Sequence, residues 1–335
     1  MRSLSIGDLA GQLLLRHQTA AARIRLDALT QEMASGRHAD IAARVSGDLR
    51  TLSGITSRLR HLEGFAQNVT ALTAQASQTQ SALAAIGDIG DSLLQDMRQA
   101  TEMRQPALVA LAAEKAMQQL GAVIGILNTR PGGQGLFSGQ AQDGPAVTSA
   151  EQLMSLIEAR LPVPPLTASD VHDAVAAWFD EPGGFTAQAY VGGPPRQPVS
   201  LDSFREVALD VTADAGPIKA LLSGLSMTAL IQRGALADDD TGQRTLMIMA
   251  SNAMSRDSET MINMQARLGM QENLLAEAQT ANMTERNFLQ QTLRSMIAPD
   301  PEDTAAHLEE ARQQMDMIYA ITIRLSGLSL LEAMR

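Results

Sequence analysis

The sequence predicts a mainly α protein: an elongated bundle of long antiparallel helices formed by both chain ends, with a small α+β insert domain in the middle. Aromatic residues are scarce, at one Trp, two Tyr and six Phe, yet apolar residues make up 45% of the 335 residues. Apolar side chains recur every three to four residues towards both ends, which is typical of helices. Ten of the thirteen prolines lie between residues 131 and 217, so the middle of the chain has a different character.

This pattern divides the chain into three predicted segments. Residues 1–130 form an N-terminal helical rod segment, with helices over 6–33 and 41–97 and a third after Pro106. Residues 131–240 form the outward-facing, variable insert, with helices over 149–161, 169–179 and 216–233 and strands over 185–191, 197–201 and 206–211. Residues 241–335 form a C-terminal helical rod segment that packs with the N-terminal one.

The C-terminal segment carries the strongest periodic signal. Seven of eight positions spaced seven residues apart are apolar, and the eighth is an asparagine, a residue that fixes register in helical seams. These positions are Met247, Met254, Met261, Leu268, Leu275, Asn282, Leu289 and Met296. The spacing predicts one long helix that packs against other helices of the same chain.

Composition and motifs argue against several classes of function. A net charge of −11 with no basic stripe argues against a nucleic-acid-binding surface. No apolar run approaches the ~20 residues of a membrane helix, no signal-peptide core is present, and the absence of cysteine excludes disulfides and thiolate sites. We therefore expect no membrane insertion.

No chemical site is predicted either. The five histidines, at positions 17, 38, 61, 172 and 307, are scattered, and none has the spacing of a helical zinc site. We expect no catalytic, cofactor-binding or metal-binding residues and no enzymatic activity. An enzyme site in the insert, around His172, Asp173 and Asp180, is the weakest alternative.

Three stretches together resemble the flagellin superfamily, and within it the family of hook-associated protein three. They are LTQEMASGRHAD at 29–40, GQGLFSG at 133–139, and ARQQMDMIYAITIRLSGLSLLEAMR at 311–335. The first lacks the acidic continuation usual in the superfamily, and the last ends in LEAMR instead of the common close. The motif residues matched are Ser35, Gly36, Leu136, Phe137, Ser138 and Gly139.

The resemblance implies a structural subunit of the bacterial flagellum that joins hook to filament by coiled-coil packing of its terminal helices. It also implies export through the flagellar type III apparatus without a cleaved signal peptide, and an extracellular location. The implied partners are further copies in a ring-like assembly, the other hook–filament junction protein, flagellin and a flagellar export chaperone, with no cofactor. A filament flagellin is the nearest alternative, followed by a coiled-coil adaptor of a secretion system.

An assembly interface is predicted on the apolar faces of the terminal helices, because the chain ends in leucines that no polar tail covers. Its residues are Ile6, Leu9, Leu13, Ile24, Leu29, Ile318, Ile321, Leu325, Leu328, Leu330 and Leu331.

Overall fold

The computed structural model describes residues 6–44, 49–163 and 166–333, and confirms the mainly α fold class. Within these ranges there are ten α-helices, a short 3₁₀ helix at Pro131–Gly133 and one two-stranded antiparallel sheet. The helices are α1 Ile6–Ser35, α2 Ile41–Arg44, α3 Arg50–Met103, α4 Pro106–Leu127, α5 Ala150–Glu158, α6 Ala168–Asp180, α7 Phe185–Gln188, α8 Gly216–Gln232, α9 Asp240–Ile297 and α10 Pro301–Ala333, and the strands are β1 Val199–Ser200 and β2 Glu206–Val207. Side chains of residues 6–10, 12, 43, 257 and 325–333 lie outside the description.

The chain divides into two compact units. The terminal unit joins the described residues up to Leu62 with those from Thr284 onward, and the middle unit is Glu63–Met283. The boundaries predicted at residues 130 and 240 do not coincide with the boundaries of these two units. They lie beside the end of α4 and at the start of α9. The division into two rod segments and an insert therefore stays a prediction.

Helix α8 is the centre of the middle unit. Its residues from Leu221 to Ile231 are all buried, as expected of a helix that is apolar on every side. Gly224 allows α9 to approach, since a Cβ atom there would lie 2.3 Å from Cγ of Met254. Nearby, α6 and α7 enclose an aromatic cluster in which the ring centroids of Phe179 and Phe185 are 5.2 Å apart.

Helix α4 packs one face against α8 and buries Val109, Ala113, Leu120 and Val123, among others. By length and composition it is also the one helix of the described residues that could cross a membrane. The sequence pattern did not indicate this, because the helix mixes small and large apolar residues with a few polar ones.

The strand predicted at 185–191 is wrong, because residues Phe185–Gln188 form α7. Phe185 is fully buried, with its ring 6.0 Å from that of Trp178. Gln188 donates from Nε2 to the carbonyl oxygen of Gly183 at 2.6 Å. The burial of one aromatic ring thus outweighs the strand preference of Thr186, Tyr190 and Val191.

The heptad prediction for α9 is confirmed over most of its length. Six of the eight positions, from Met247 to Asn282, are buried, and Leu289 and Met296 are partly buried. The asparagine does more than fix the register of the helix. Asn282 donates from Nδ2 to the carbonyl oxygen of Leu201 at 2.8 Å. It therefore fastens the loop of the small sheet to α9.

Candidate functional site

Helices α1 and α10 pair in an antiparallel arrangement within the terminal unit. Ala22 of α1 forms a small buried cluster with Met315 and Ile318 of α10. Just beyond the end of α1, the N–H of His38 donates to the carbonyl oxygen of Ile297 at 2.8 Å. This bond places the end of α1 beside the start of α10, so the two helices run in opposite directions.

The side chains that face each other in this pair form a heptad-like stripe on each helix, which we call the packed stripe. Its members are buried or partly buried and are spaced alternately by four and three residues. They are Leu15, Thr19, Ala22, Leu26 and Leu29 on α1, and Thr304, Leu308, Ala311, Met315 and Ile318 on α10.

A second apolar stripe on α1 faces solvent, and we call it the exposed stripe: Leu13, Ala20 and Ile24. The side chains of Leu13 and Ile24 are 60% and 69% exposed. Eleven residues at ~100° each bring Ile24 to within about 20° of Leu13 around the helix, while Ile24 lies about 160° from Ala22. Helix α1 is therefore apolar on two opposite sides, and the pairing with α10 covers one of them.

Helix α10 also keeps large apolar side chains exposed beside its packed stripe. They are Met317, Tyr319, Ile321 and Ile323, and Ile323 is 70% exposed. At ~100° per residue, Met317 and Ile321 lie about 40° apart on one flank of the packed stripe, and Tyr319 and Ile323 lie about 40° apart on the other flank.

The predicted interface residues fall into three groups. Ile318 is buried and Leu29 is partly buried in the packed stripe, whereas Leu13, Ile24 and Ile321 are exposed. The side chains of the remaining six lie outside the described residues, although their backbones belong to α1 and α10: Ile6, Leu9, Leu325, Leu328, Leu330 and Leu331. An interface made by these residues stays a prediction.

The first motif forms the C-terminal end of α1. Gly36 has a φ of +64°, the left-handed conformation that favours glycine after a helix. Its N–H donates to the carbonyl oxygen of Glu32 at 2.8 Å, and the Glu32 carboxylate accepts the N–H of Ala39 at 2.8 Å. Ser35 is exposed, and its hydroxyl accepts the N–H of Arg37 at 3.3 Å. These bonds turn the chain towards α2.

The second motif is a buried turn in the middle unit. Leu136, Phe137, Ser138 and Gly139 are all buried. The carbonyl oxygen of Phe137 accepts the N–H of Ala213, and that of Ser138 accepts the N–H of Gly193, each at 2.9 Å. Gly139 has a φ of +58°, and a Cβ atom there would lie 2.4 Å from the carbonyl oxygens of both Gly193 and Pro194. Only glycine fits at this position.

One polar side chain holds this turn, and another holds the segment at residues 146–147 that follows it in the chain. Arg196 donates from Nη2 to the carbonyl oxygen of Gly135 at 2.5 Å and from Nε to that of Gly139 at 3.2 Å. Burial lowers the pKa of the Arg196 guanidinium. On the other side, Asn128 accepts the N–H groups of Ala146 and Val147 at 2.8 and 2.9 Å, and donates to the carbonyl oxygen of Val147. The sequence analysis did not identify either residue, because each forms hydrogen bonds with backbone groups that are distant in the sequence.

Tyr190 lies against the same turn and titrates at unusually high pH. Its hydroxyl donates to the carbonyl oxygen of Gly193 at 2.7 Å. Burial, with a smaller contribution from the Asp214 carboxylate, raises the pKa of Tyr190 to about 12. Both effects disfavour the phenolate in the folded chain.

This shift predicts a loss of stability in alkali. An unfolded tyrosine ionises near pH 10, so between about pH 10 and 12 the unfolded chain binds fewer protons than the folded one and the free energy of unfolding falls. Below pH 10 the contribution is fully present. Urea unfolding at about pH 9, 10 and 11 should show that the stability difference between wild type and Tyr190→Phe shrinks as pH rises. A Tyr319→Phe control keeps Tyr190 and should keep the full decline; an identical decline in all three proteins would contradict the assignment.

The enzyme alternative was placed around His172, Asp173 and Asp180. His172 Nδ1 lies 2.8 Å from an Asp173 carboxylate oxygen. His172 and Asp180 line an open cavity of about 340 Å³ between α6, α8 and α9. Lys219 also lines it, but its ammonium donates to the carbonyl oxygen of Phe179 at 3.2 Å. Across residues 6–44, 49–163 and 166–333, no three His, Asp or Glu side chains cluster closely enough to hold a metal ion.

Comparison with known proteins finds matches among solved structures. No family model matches the sequence, and no curated protein matches it. Its structural neighbours are flagellar hook-associated proteins. The crystal structure of Bacillus cereus FlgL matches with a TM-score of 0.49 and 13% identity, over 73% of this chain and 99% of that chain. A structure from Vibrio parahaemolyticus, described as a flagellar hook-associated protein, matches with a TM-score of 0.49 and 11% identity, over 73% of this chain and 95% of that chain. At these identities no residue role is carried over.

Proposed function

We propose that this chain is a structural subunit of the bacterial flagellum that joins the hook to the filament, through packing of its terminal helices with those of neighbouring subunits. The observation that carries the proposal is the exposed stripe on α1. Leu13 and Ile24 face solvent after the packed stripe has been covered by α10. A helix with apolar residues on two opposite sides needs two partners, and its own chain supplies one.

The energetic argument concerns the exposed side chains on both helices. Covering apolar surface is worth ~25 cal/mol per Å², so the exposed residues of α1 and α10 could contribute several kcal/mol to each contact before ordering costs are subtracted. The two helices expose different surfaces: α1 exposes Leu13 and Ile24, and α10 exposes Met317, Ile321 and Ile323. We propose that the surface of α1 contacts that of α10 in a neighbouring copy. Contacts between such different surfaces are heterologous and generate rings or helical assemblies.

The motifs support the same proposal from the sequence side. The support is the resemblance of three sequence stretches to the flagellin superfamily, and two of these stretches contain Gly36 and Gly139, whose left-handed backbone conformations favour glycine. The proposal includes an extracellular site of assembly, export without a cleaved signal peptide, and contacts with copies of the same chain, with flagellin and with the second junction protein. It assigns the chain no enzymatic role.

A deletion strain of the source bacterium tests this function. Loss of the chain should leave hooks without filaments and release flagellin monomers into the medium, and a plasmid copy should restore filaments. Electron microscopy and immunoblotting of the medium measure the two effects. Normal filaments on the deletion strain would overturn the proposal.

Labelling separates the junction role from that of a filament subunit. Antibodies against this chain should mark a short zone where hook and filament meet. Label distributed along the whole filament would assign the chain as filament flagellin, and label confined to the cytoplasm would favour the adaptor of a secretion system.

A further inference from the structure

The cavity of about 340 Å³ between α6, α8 and α9, which we call the three-helix cavity, lies within the middle unit. Its volume suits a small molecule, since ligand sites in proteins occupy about 300–1,000 Å³. Each helix contributes an apolar side chain to the lining: Phe179 from α6, Met227 from α8 and Ala253 from α9. The cavity can therefore surround the apolar part of a small ligand.

A buried hydroxyl group lines this cavity without a hydrogen-bond partner. Ser223 of α8 is 7% exposed, and among the described residues no group donates to its hydroxyl or accepts from it. Buried hydroxyls in helices usually donate to a carbonyl oxygen one turn back, as those of Ser226 and Thr228 do at 2.7 and 2.9 Å. A buried polar group without a partner is costly, so the Ser223 hydroxyl is available to a bound molecule.

Two opposite charges line the same cavity without pairing with each other. Lys219 lies one turn before Ser223 on α8, so both side chains lie on one face of the helix. The Lys219 ammonium donates to the carbonyl oxygen of Phe179 at 3.2 Å, and no carboxylate of the described residues pairs with it. Asp180 likewise has no partner among the described residues. One free cation and one free anion suit a ligand that carries both charges.

The ends of two helices reinforce these charges. Helix α6 ends at Asp180, and the C-terminal end of a helix is negative, whereas α8 begins at Gly216, which also lines the cavity, with a positive N-terminal end. A ligand ammonium is therefore favoured beside Asp180 and a ligand carboxylate beside Lys219. His172, the other titratable side chain of the lining, is already held by Asp173, with Nδ1 2.8 Å from a carboxylate oxygen.

We propose that the three-helix cavity binds a free α-amino acid with an apolar side chain. The ligand carboxylate accepts hydrogen bonds from the Lys219 ammonium, which has two donors left, and from the Ser223 hydroxyl. The ligand ammonium pairs with Asp180, and the apolar side chain packs between Phe179 and Met227. A molecule with a single charge would leave one of the two charged side chains unpaired. The proposal goes beyond the flagellar role and does not depend on it.

Isothermal titration calorimetry of the full-length chain with L-leucine, L-methionine, L-valine and L-phenylalanine tests the site. At least one of them should bind, and L-serine, which lacks an apolar side chain, should bind more weakly. The single tryptophan gives a second signal, because the ring of Trp178 is buried 5.0 Å from that of Phe179 in the lining. Its fluorescence should change with the same midpoint. Failure of all four amino acids to bind overturns the proposal.

Two analogues of the tightest binder each remove one charge. For leucine, 4-methylpentanoate lacks the ammonium and 3-methylbutylamine lacks the carboxylate. Each should bind about tenfold or more weakly than the amino acid, since a hydrogen bond to a charged group contributes at least that factor. An analogue that binds as tightly as the amino acid contradicts recognition of both charges.

Replacement of Ser223 by alanine separates a binding role from a structural one. Ser223→Ala should weaken binding about tenfold but should not lower stability in urea, because the hydroxyl has no partner among the described residues. Ser226→Ala is the matched control on α8, since the Ser226 hydroxyl donates to the carbonyl oxygen of Leu222 and does not line the cavity. It should leave the affinity unchanged. A folded Ser223→Ala chain with wild-type affinity overturns the site.

Charge variants assign the two ends of the ligand. Lys219→Met should weaken binding of the amino acid but not of 3-methylbutylamine, and Asp180→Asn should weaken binding of the amino acid but not of 4-methylpentanoate. Lys115→Met removes the other lysine of the chain, which pairs with Asp96 and does not line the cavity, and should change neither affinity. The reverse pattern contradicts the assignment. A chain that binds no amino acid overturns this site alone and leaves the proposed function standing.

Discussion

Replacement of Gly139 by valine is expected to destabilise the middle unit by more than about 3 kcal/mol. Two costs add at this position. The backbone φ of +58° is unfavourable for any β-branched residue, and a Cβ atom would lie 2.4 Å from the carbonyl oxygens of Gly193 and Pro194. Relief of the clash would break the bond from the N–H of Gln140 to the carbonyl oxygen of Pro194, which is 2.9 Å long.

Urea unfolding followed by circular dichroism measures the effect. Gly144→Val is the matched control in the same loop, because a Cβ atom at Gly144 would contact nothing within 4 Å. The Gly144 variant should unfold within about 1 kcal/mol of wild type. Equal urea midpoints for the two variants would show that the turn tolerates a side chain at Gly139.

Much of the helical plan could be predicted from sequence because it depends on local periodicity. The heptad positions from Met247 to Leu275 are buried as expected, and the helix expected after Pro106 begins at that residue. The helix predicted over 41–97 corresponds to α2, which ends at Arg44, and α3, which begins at Arg50. Periodicity gave the core face of α9 correctly but not the exact ends of helices.

Contacts between distant segments could not be predicted in this way. The glycine-rich motif at 133–139 was recognisable as a pattern, yet its partners are Gly193, Pro194 and Arg196, more than fifty residues away. Asn282 fits a helical seam equally well whether it meets another asparagine or the carbonyl oxygen of Leu201. Contacts between segments so far apart produce no periodic pattern in the sequence from which they could be predicted.

The two apolar sides of α1 did leave a signal. Leu13, Leu14 and Leu15 are consecutive, and at ~100° per residue three adjacent side chains cannot share one helical face. The sequence pattern placed Leu13 and Ile24 in the predicted assembly interface, and the structure leaves both exposed while it buries Ala22. An interface between neighbouring molecules at these two residues stays a prediction.

This division of α1 predicts opposite results for two neighbouring substitutions. Ile24→Asp should leave the folded chain intact, since the side chain is 69% exposed and exposed substitutions usually change the free energy of unfolding by less than about 0.5 kcal/mol. It should weaken association of the chain by about a hundredfold or more, because a carboxylate would be buried in an apolar interface. Sedimentation velocity over a concentration series measures the association.

Leu26→Asp should instead act within the chain. Leu26 belongs to the packed stripe between α1 and α10, so a carboxylate there lowers the stability of the helix pair, by about 2 kcal/mol or more, before any neighbour binds. Thr30→Asp, exposed and outside both stripes, controls for the added charge and should change neither quantity. If Ile24→Asp destabilised the fold while association of the folded fraction stayed normal, α1 would have a single functional face, and the terminal helices would have to assemble through α10 alone.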